Sequence, residues 1–317
     1  MLTASPSIVV LHEEATAAMA TTESLVAQRD LNCLSDDNRQ TRKRALSKLC
    51  ALPSAGHAPE VLAQLWTETL QAPVLKLFAE QVEKNRELAI TLAADMLAAL
   101  PDAAVVLALP QVMPVVAARI GGNPVAEGAE ELRLQLLQMV LALVPRCAAA
   151  LSGYLPELVH VLVAAFADPF PDAKKEGCAI ATALAAAAPT NIEVHCATLI
   201  AGLAPALAHQ HSRVRSMGTE AMFALLLHEP SVLPEVGPQL SLIAVDRAPA
   251  VREQAVHALA ALLAQLPQRR QHASRLLPLL LCALSDEVEA IQQQARLALN
   301  RLGDLFAVDD APPPKVS

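Results

Sequence analysis

The sequence predicts an all-α fold, a superhelix of about seven stacked two-helix repeats, on three observations. A short pattern recurs with a period near forty residues. Its apolar residues are small or aliphatic, and within each unit they follow a helical spacing. The pattern reads as an acid, a helix start five residues later, then at once a base, a small residue at plus four and Leu or Met at plus eleven. Helix starts fall at Thr41, Asn85, Leu132, Ala173, Val214, Val251 and Ile291. The acid positions hold Asp36, Glu80, Glu127, Asp168, His209, Asp246 and Asp286, so His209 is the departure. The bases are Arg42, Arg86, Arg133, Lys174, Arg215 and Arg252, with Gln292 in the last unit. Plus four is Ala45, Ala89, Leu136, Gly177, Gly218, Ala255 and Ala295; plus eleven is Leu52, Met96, Leu143, Leu184, Leu225, Leu262 and Leu302. A fixed period of this size marks units that bury their apolar faces only against their neighbours.

Composition agrees. Hydrophobic residues make up 54% of the chain and aromatics only 2%. Stacked helices at close range can be packed with Leu, Ala and Val alone, whereas a sandwich or α/β core draws on rings and β-branched strands. Ten glycines leave little room for phosphate-cradling loops. Prolines such as Pro59, Pro101, Pro156, Pro230, Pro234 and Pro267 fall where helices begin or turns lie. A mean hydropathy of +0.37 raises the question of a membrane. A span needs about 20 predominantly apolar residues. The uncharged stretches 103–118, 177–192 and 194–212 are interrupted by Pro, Thr or His and read as helices buried on several sides. His12, Glu13 and Glu14 break any secretory apolar region. Net charge of −8 with a pI near 5.6 disfavours a nucleic-acid footprint over the whole protein. Six cysteines are scattered singly with no CxxC, which reads as buried thiols of a reduced, cytoplasmic chain.

Taken in order, residues 1–20 show no repeat and read as a capping helix or a disordered segment. The array covers 21–306, each unit being helix A, a tight turn holding the acid, and helix B. In the second unit Trp66 lies inside helix A. The third unit is the weakest, with Leu136 at the small position and a Gly121-Gly122-Asn123-Pro124 turn that reads as an insertion at one edge. The fifth carries Val214, Gly218, Ala221, Met222 and Leu225 on one helical face, and the sixth Val251, Ala255, Ala258, Leu259 and Leu262. In the seventh, helix A spans 271–284 and helix B 289–305. The tail 307–317, AVDDAPPPKVS, reads as disordered. The small residue at plus four lets helix B cross helix A closely. The acid sits near the positive end of helix B and can accept from backbone N–H groups or from Arg, including the Arg of the adjacent unit. Such pairs would form a ladder along the turns, each worth about 0–1 kcal/mol if exposed.

Convergent chemistry is sparse. No Walker motif, GxGxxG, HExxH or GxSxG occurs. The His209 and His211 pair lacks a nearby third ligand and reads as a turn surface. No cofactor, metal or small-molecule substrate is expected. Arg39, Arg42, Lys43, Arg44 and Lys48 crowd the first helix B, and two readings stand. One is a site for an anionic partner such as an acidic peptide or tubulin tail; the other is a solvated face beside Asp36 and Asp37. Helix B residues pointing away from helix A would line a long protein-binding surface: Glu87, Lys175, Glu220, Glu253, Gln254, His257 and Gln293.

The acid, the base six later and a proline eight before the acid (Pro238 before Asp246, Pro278 before Asp286) resemble the HEAT repeat signature of HEAT/armadillo-type solenoids. The segment Arg29–Leu46, RDLNCLSDDNRQTRKRAL, followed by SKL, resembles the first repeat of the dynein axonemal assembly factor 5 family, also called HEAT repeat-containing protein 2. That resemblance implies a cytoplasmic, non-catalytic scaffold for preassembly of axonemal dynein arms, serving the cilium or flagellum. Its implied partners are dynein chains, intermediate chains in particular, with other assembly factors or chaperones, and no nucleic acid or membrane. Family members are longer, with more than seven repeats, so the chain reads as a fragment, a truncated gene model or a short form. Rivals on the same architecture are a nuclear transport receptor, a phosphatase scaffold, a tubulin-binding TOG-type array and, as an enzyme, a bilin lyase.

Overall fold

A computed structural model describes residues 26–309; the N-terminal segment 1–20 and the last eight residues lie outside the described part. Among the described residues the secondary structure is helical throughout, with no strand. The chain divides into two compact bodies, ending and resuming at Cys147 and Ala148.

The first body holds three helix pairs. α1 (Gln28–Leu34) precedes α2 (Arg39–Leu49). α3 (Pro59–Leu65) opens on its proline, runs through a π turn at Trp66–Leu70 and continues as α4 (Gln71–Lys76) before α5 (Glu83–Ala99). Pro73 has no N–H for the Thr69 carbonyl, and the helix widens just upstream. Trp66, at the start of that turn, is wholly buried. α6 (Asp102–Ile120) and α7 (Glu130–Cys147) complete the body. The second body holds α8 (Leu155–Ala167) with α9 (Pro171–Ala187), then α10 (Glu193–Gly202) and α11 (Ala204–Leu207) with α12 (Ser212–Leu226). α13 (Leu233–Ala244) pairs with α14 (Pro249–Gln265), and α15 (Arg269–Cys282) with α16 (Glu289–Asp309).

Within each body successive B helices pack side by side: α2, α5 and α7 in the first, α9, α12, α14 and α16 in the second. The apolar face expected for α12 is buried at every position, Val214, Gly218, Ala221, Met222 and Leu225. α6 and the segment 150–167 are long and apolar enough to cross a membrane. In this fold they bury Val105, Leu109, Val112 and Val116, and Leu158, Leu162 and Phe166, against neighbouring helices.

Three local expectations change. α2 stops at Leu49, so Leu52 lies in a turn and only half-buried; the residue before a proline is steered out of helix, and Pro53 follows. α16 continues through Asp309, past the expected boundary at Ala307. The cysteines are not uniformly buried: Cys147, Cys178 and Cys196 are, Cys33 and Cys50 are half-buried, and Cys282 is exposed.

In the fourth and fifth units the glycine at plus four sits where B meets A. A Cβ built on Gly177 would lie 2.8 Å from the Ala165 Cβ, and one on Gly218 would meet the Leu207 Cδ2 at 3.3 Å.

Candidate protein-binding surface

All seven turns solve the same local problem in the same way. The acid-position side chain accepts from the backbone N–H two residues on, satisfying a donor left free at the helix start. Asn38 donates to Asp36 at 2.7 Å, Val82 to Glu80 at 3.4 Å and Ala129 to Glu127 at 3.0 Å. Phe170 donates to Asp168 at 2.8 Å, Ala248 to Asp246 at 2.8 Å and Val288 to Asp286 at 2.9 Å. In the fifth turn the acceptor is the His209 Nδ1, receiving the His211 N–H at 3.2 Å.

The six-residue offset to the base has its own cause. Arg42, Arg86, Arg133, Arg215 and Arg252 each turn back to donate to the main-chain carbonyl of their own acid position, at 2.6 to 3.2 Å. Gln292 does the same with its amide, to the Asp286 carbonyl at 2.7 Å. The far side of the guanidinium then reaches the next repeat. Arg42 pairs with Glu80, Arg86 with Glu127 and Arg215 with Asp246, each at 2.7 Å, and Arg252 with Asp286 at 2.6 Å.

This ladder is more buried than exposed pairs would be. The Glu127 carboxylate is wholly covered and bonds Arg119 as well as Arg86. Desolvation pushes its carboxyl up, but hydrogen bonds from the two guanidinium groups and the Ala129 amide outweigh it, and its pKa falls below the ordinary value. Asp246 shows the same balance, with Arg215 overcoming burial. At Asp286 the Arg252 hydrogen bond dominates and again lowers the pKa.

With turns fixed in register, neighbouring B helices leave grooves between them. One, of about 600 Å³, lies between α5 and α7 and is floored by Ala94, Ala98 and Ala142 with Gln135, Gln138 and Arg146 at its wall. Another, of about 420 Å³, lies between α14 and α16, with Ala260, Ala261 and Ala264 facing Gln294, Leu297 and Arg301. Alanines at plus nine and plus thirteen of the leading helix leave the hollow in both cases. The glutamine at plus three of the following helix bridges back: Gln135 donates to the Thr91 Oγ1 at 2.7 Å, and Gln294 to Glu253 at 2.9 Å.

The sequence-nominated residues scatter over this framework. His257 lines the second groove, and Glu253 is tied to Gln294 at its edge. Gln254 is half-buried and Glu220 exposed on α12. Glu87 pairs with Lys84 and Lys175 with Asp172 on their own helices, while Gln293 donates to Glu289. Arg39, Lys43 and Arg44 are exposed on α2, whereas Arg42 is engaged in the ladder and turned from solvent. Gln135, Gln138, Leu297 and Arg301 were missed; counting plus three, plus six and plus ten from each helix start would have found them. His209 and His211 lie with ring centroids 5.2 Å apart, and among the described residues no three His, Cys, Asp or Glu gather as a metal set.

A family profile described as "Dynein axonemal assembly factor 5-like, TPR repeats" matches residues 33–310, which takes in all seven turns. The chain belongs to the dynein axonemal assembly factor 5-like family. It is 32% identical to dynein axonemal assembly factor 5 of Xenopus laevis over 273 residues, 84% of this chain and 32% of that protein. The protein of the same name from Homo sapiens is 33% identical over 293 residues, 89% of this chain and 34% of its own length. The chain thus spans about a third of the length of these relatives. Among solved structures it is similar to a chain of the Kap95:Nup1 complex, with a TM-score of 0.63 at 14% identity, covering 87% of this chain and 35% of that one. Yeast importin-beta (Kap95p) gives 0.58 at 15% identity, covering 93% and 38%. At such identities these two establish the helical-repeat solenoid fold alone. In this dynein axonemal assembly factor 5-like chain, the ladder and grooves are therefore the features from which a role is built.

Proposed function

We propose that the chain is a non-catalytic, protein-binding scaffold of the cytoplasm that takes part in preassembly of axonemal dynein arms. Segments of dynein intermediate chains occupy the grooves between its B helices, with other assembly factors or chaperones on the remaining faces. The family membership across the whole array carries this reading, and the alanine-floored grooves are its physical support. Such a hollow admits apolar side chains of a partner segment, while glutamine and arginine at the rim offer donors to its backbone. The exposed Arg39, Lys43 and Arg44 add a face suited to acidic partner segments. A nuclear-transport reading shares the fold and nothing further.

Affinity capture from a ciliated cell, comparing the unaltered chain with Ala261→Trp and Ala94→Trp, tests the reading. Both substitutions fill grooves open to solvent, so helicity and melting should hold. Recovery of axonemal dynein intermediate chain by the unaltered protein, reduced at least tenfold by the filled grooves, is expected. Recovery of transport cargo or phosphatase subunits in its place would overturn it.

A further inference from the structure

The ladder has a break, and the break is cationic. In the rungs Arg42–Glu80, Arg86–Glu127, Arg215–Asp246 and Arg252–Asp286 a base meets the carboxylate of the next turn. Lys174 is the corresponding base on α9, yet the next turn offers His209. Lys174 is buried, with 6% of its surface exposed, and donates to the Phe166 carbonyl at 2.8 Å, with the Asp168 carboxylate of its own turn acting on it. Around that turn further positive groups collect. Arg213 and His211 are exposed at the start of α12, and exposed Arg247 donates to the Gln210 carbonyl at 3.2 Å. Asp246, the acid of the following turn, is held by two bonds from Arg215.

We infer that the 209–213 turn, with Arg247 beside it and Lys174 beneath, receives a carboxylate side chain from an acidic segment of a partner protein. Four equivalent turns show that the slot takes one Asp or Glu carboxylate. At this turn His209 stands where those turns hold the acid and its Nδ1 takes the turn's N–H, so a partner carboxylate would meet the outward-facing His211, Arg213 and Arg247. A chain of net charge −8 repels an extended polyanion, so a short acidic peptide suits the site better than nucleic acid. Arg247 and Arg213 supply outward-facing donors, and His211 supplies a ring N–H. Burial first, then the charges of His211, Lys174 and Arg215, hold His209 below its ordinary pKa. This site is separate from the grooves and from α2, and it can stand or fall apart from them.

The test is fluorescence anisotropy of a fluorescein-labelled hexaglutamate peptide at low ionic strength. Arg247→Ala and His211→Ala should each weaken binding at least fivefold with the melting temperature unchanged. His209→Asp, which supplies the missing carboxylate internally, should abolish binding while maintaining or raising the melting temperature. Arg296→Ala, on the exposed side of α16, should leave it unchanged. Absence of binding by the unaltered chain, indifference to Arg247→Ala, or an equal loss from Arg296→Ala would each overturn the site. Displacement of the peptide by inorganic phosphate, but not by chloride at equal ionic strength, would assign it to phosphate and overturn the carboxylate.

Discussion

At the scale of single residues, two glycines at the same repeat position have different consequences. Alanine is favoured over glycine in a helix interior by about 1 kcal/mol. At Gly218 the new methyl would meet the flexible end of Leu207 at 3.3 Å, which can turn aside. Gly218→Ala should therefore be neutral or mildly stabilising. At Gly177 it would lie 2.8 Å from the Ala165 Cβ, an atom fixed to the α8 backbone, and Phe166 closes the other side. Gly177→Ala should lose about 1–3 kcal/mol as the two helices are forced apart. Urea melts of the two variants decide it: equal stability would mean that α9 and α8 are less closely held than described. The thiols make a second pair of contrasts. Cys178 and Cys196 are fully buried, and burial above all pushes each pKa up to about 12. Cys282 is exposed on α15. A thiolate-selective reagent should modify Cys282 in the native protein and reach Cys178 and Cys196 only on unfolding. Rapid native modification of Cys178, read by peptide mass, would contradict its burial.

At the scale of elements, the loop joining α6 to α7 shows how a weak repeat is held. Its Glu127 side chain binds Arg86 from the preceding turn and Arg119 from the end of α6, while its N–H donates to the Arg119 carbonyl at 3.0 Å. Glu127→Gln keeps the shape but leaves two largely buried guanidinium groups without their anion. Breaking a buried pair by altering one partner costs about 3–5 kcal/mol, so a loss near the lower figure is expected for this polar replacement. Amide exchange in 122–129 should accelerate more than in α9. Unchanged exchange there would show that the loop is held by other contacts. Much of this was legible beforehand. The acid-to-base offset of six, the ladder between adjacent repeats and the glycine contacts all follow from a pattern that the chain writes seven times. What was not legible depends on distances between helices. Crowded charge grouped Arg42 with Lys43 and Arg44, and only the packing of α2 on α5 separates them, setting Arg42 against the Glu80 carboxylate while the other two face solvent. Likewise the grooves arise from small residues on one helix facing long ones on the next, a relation between repeats that no single helical face reveals. Pro73 and Pro53 altered helices locally for covalent reasons, but their effect on a particular turn depends on which carbonyl is left without a donor.

At the scale of the whole molecule, each compact body contains carboxylates that fold into the ladder with lowered pKa values: Glu127 in the first, Asp246 and Asp286 in the second. Their ordinary values are 4.5 for Glu and 3.8 for Asp, the values they regain on unfolding. Between the folded and unfolded values the unfolded chain binds more protons, so stability rises with pH across that interval. The ladder's contribution is therefore complete above about pH 4.5 and is lost as pH falls through the lower folded values. His209 acts higher on the scale with the same sign. Its folded pKa lies below the ordinary 6.5, since burial and then the neighbouring positive charges disfavour its protonated form. The unfolded histidine takes up its proton first, and stability declines modestly as pH drops just below 6.5. Melting temperature against pH should then be level above neutrality, dip slightly through the imidazole range and fall steeply below 4.5. His209→Asp should remove the upper dip and leave the lower fall. A Glu127→Gln, Asp246→Asn, Asp286→Asn triple variant should start less stable and lose less on acidification. If that variant and the unaltered chain traced parallel curves between pH 5 and 2, the bonds joining successive turns would not be what ties this array's stability to acid.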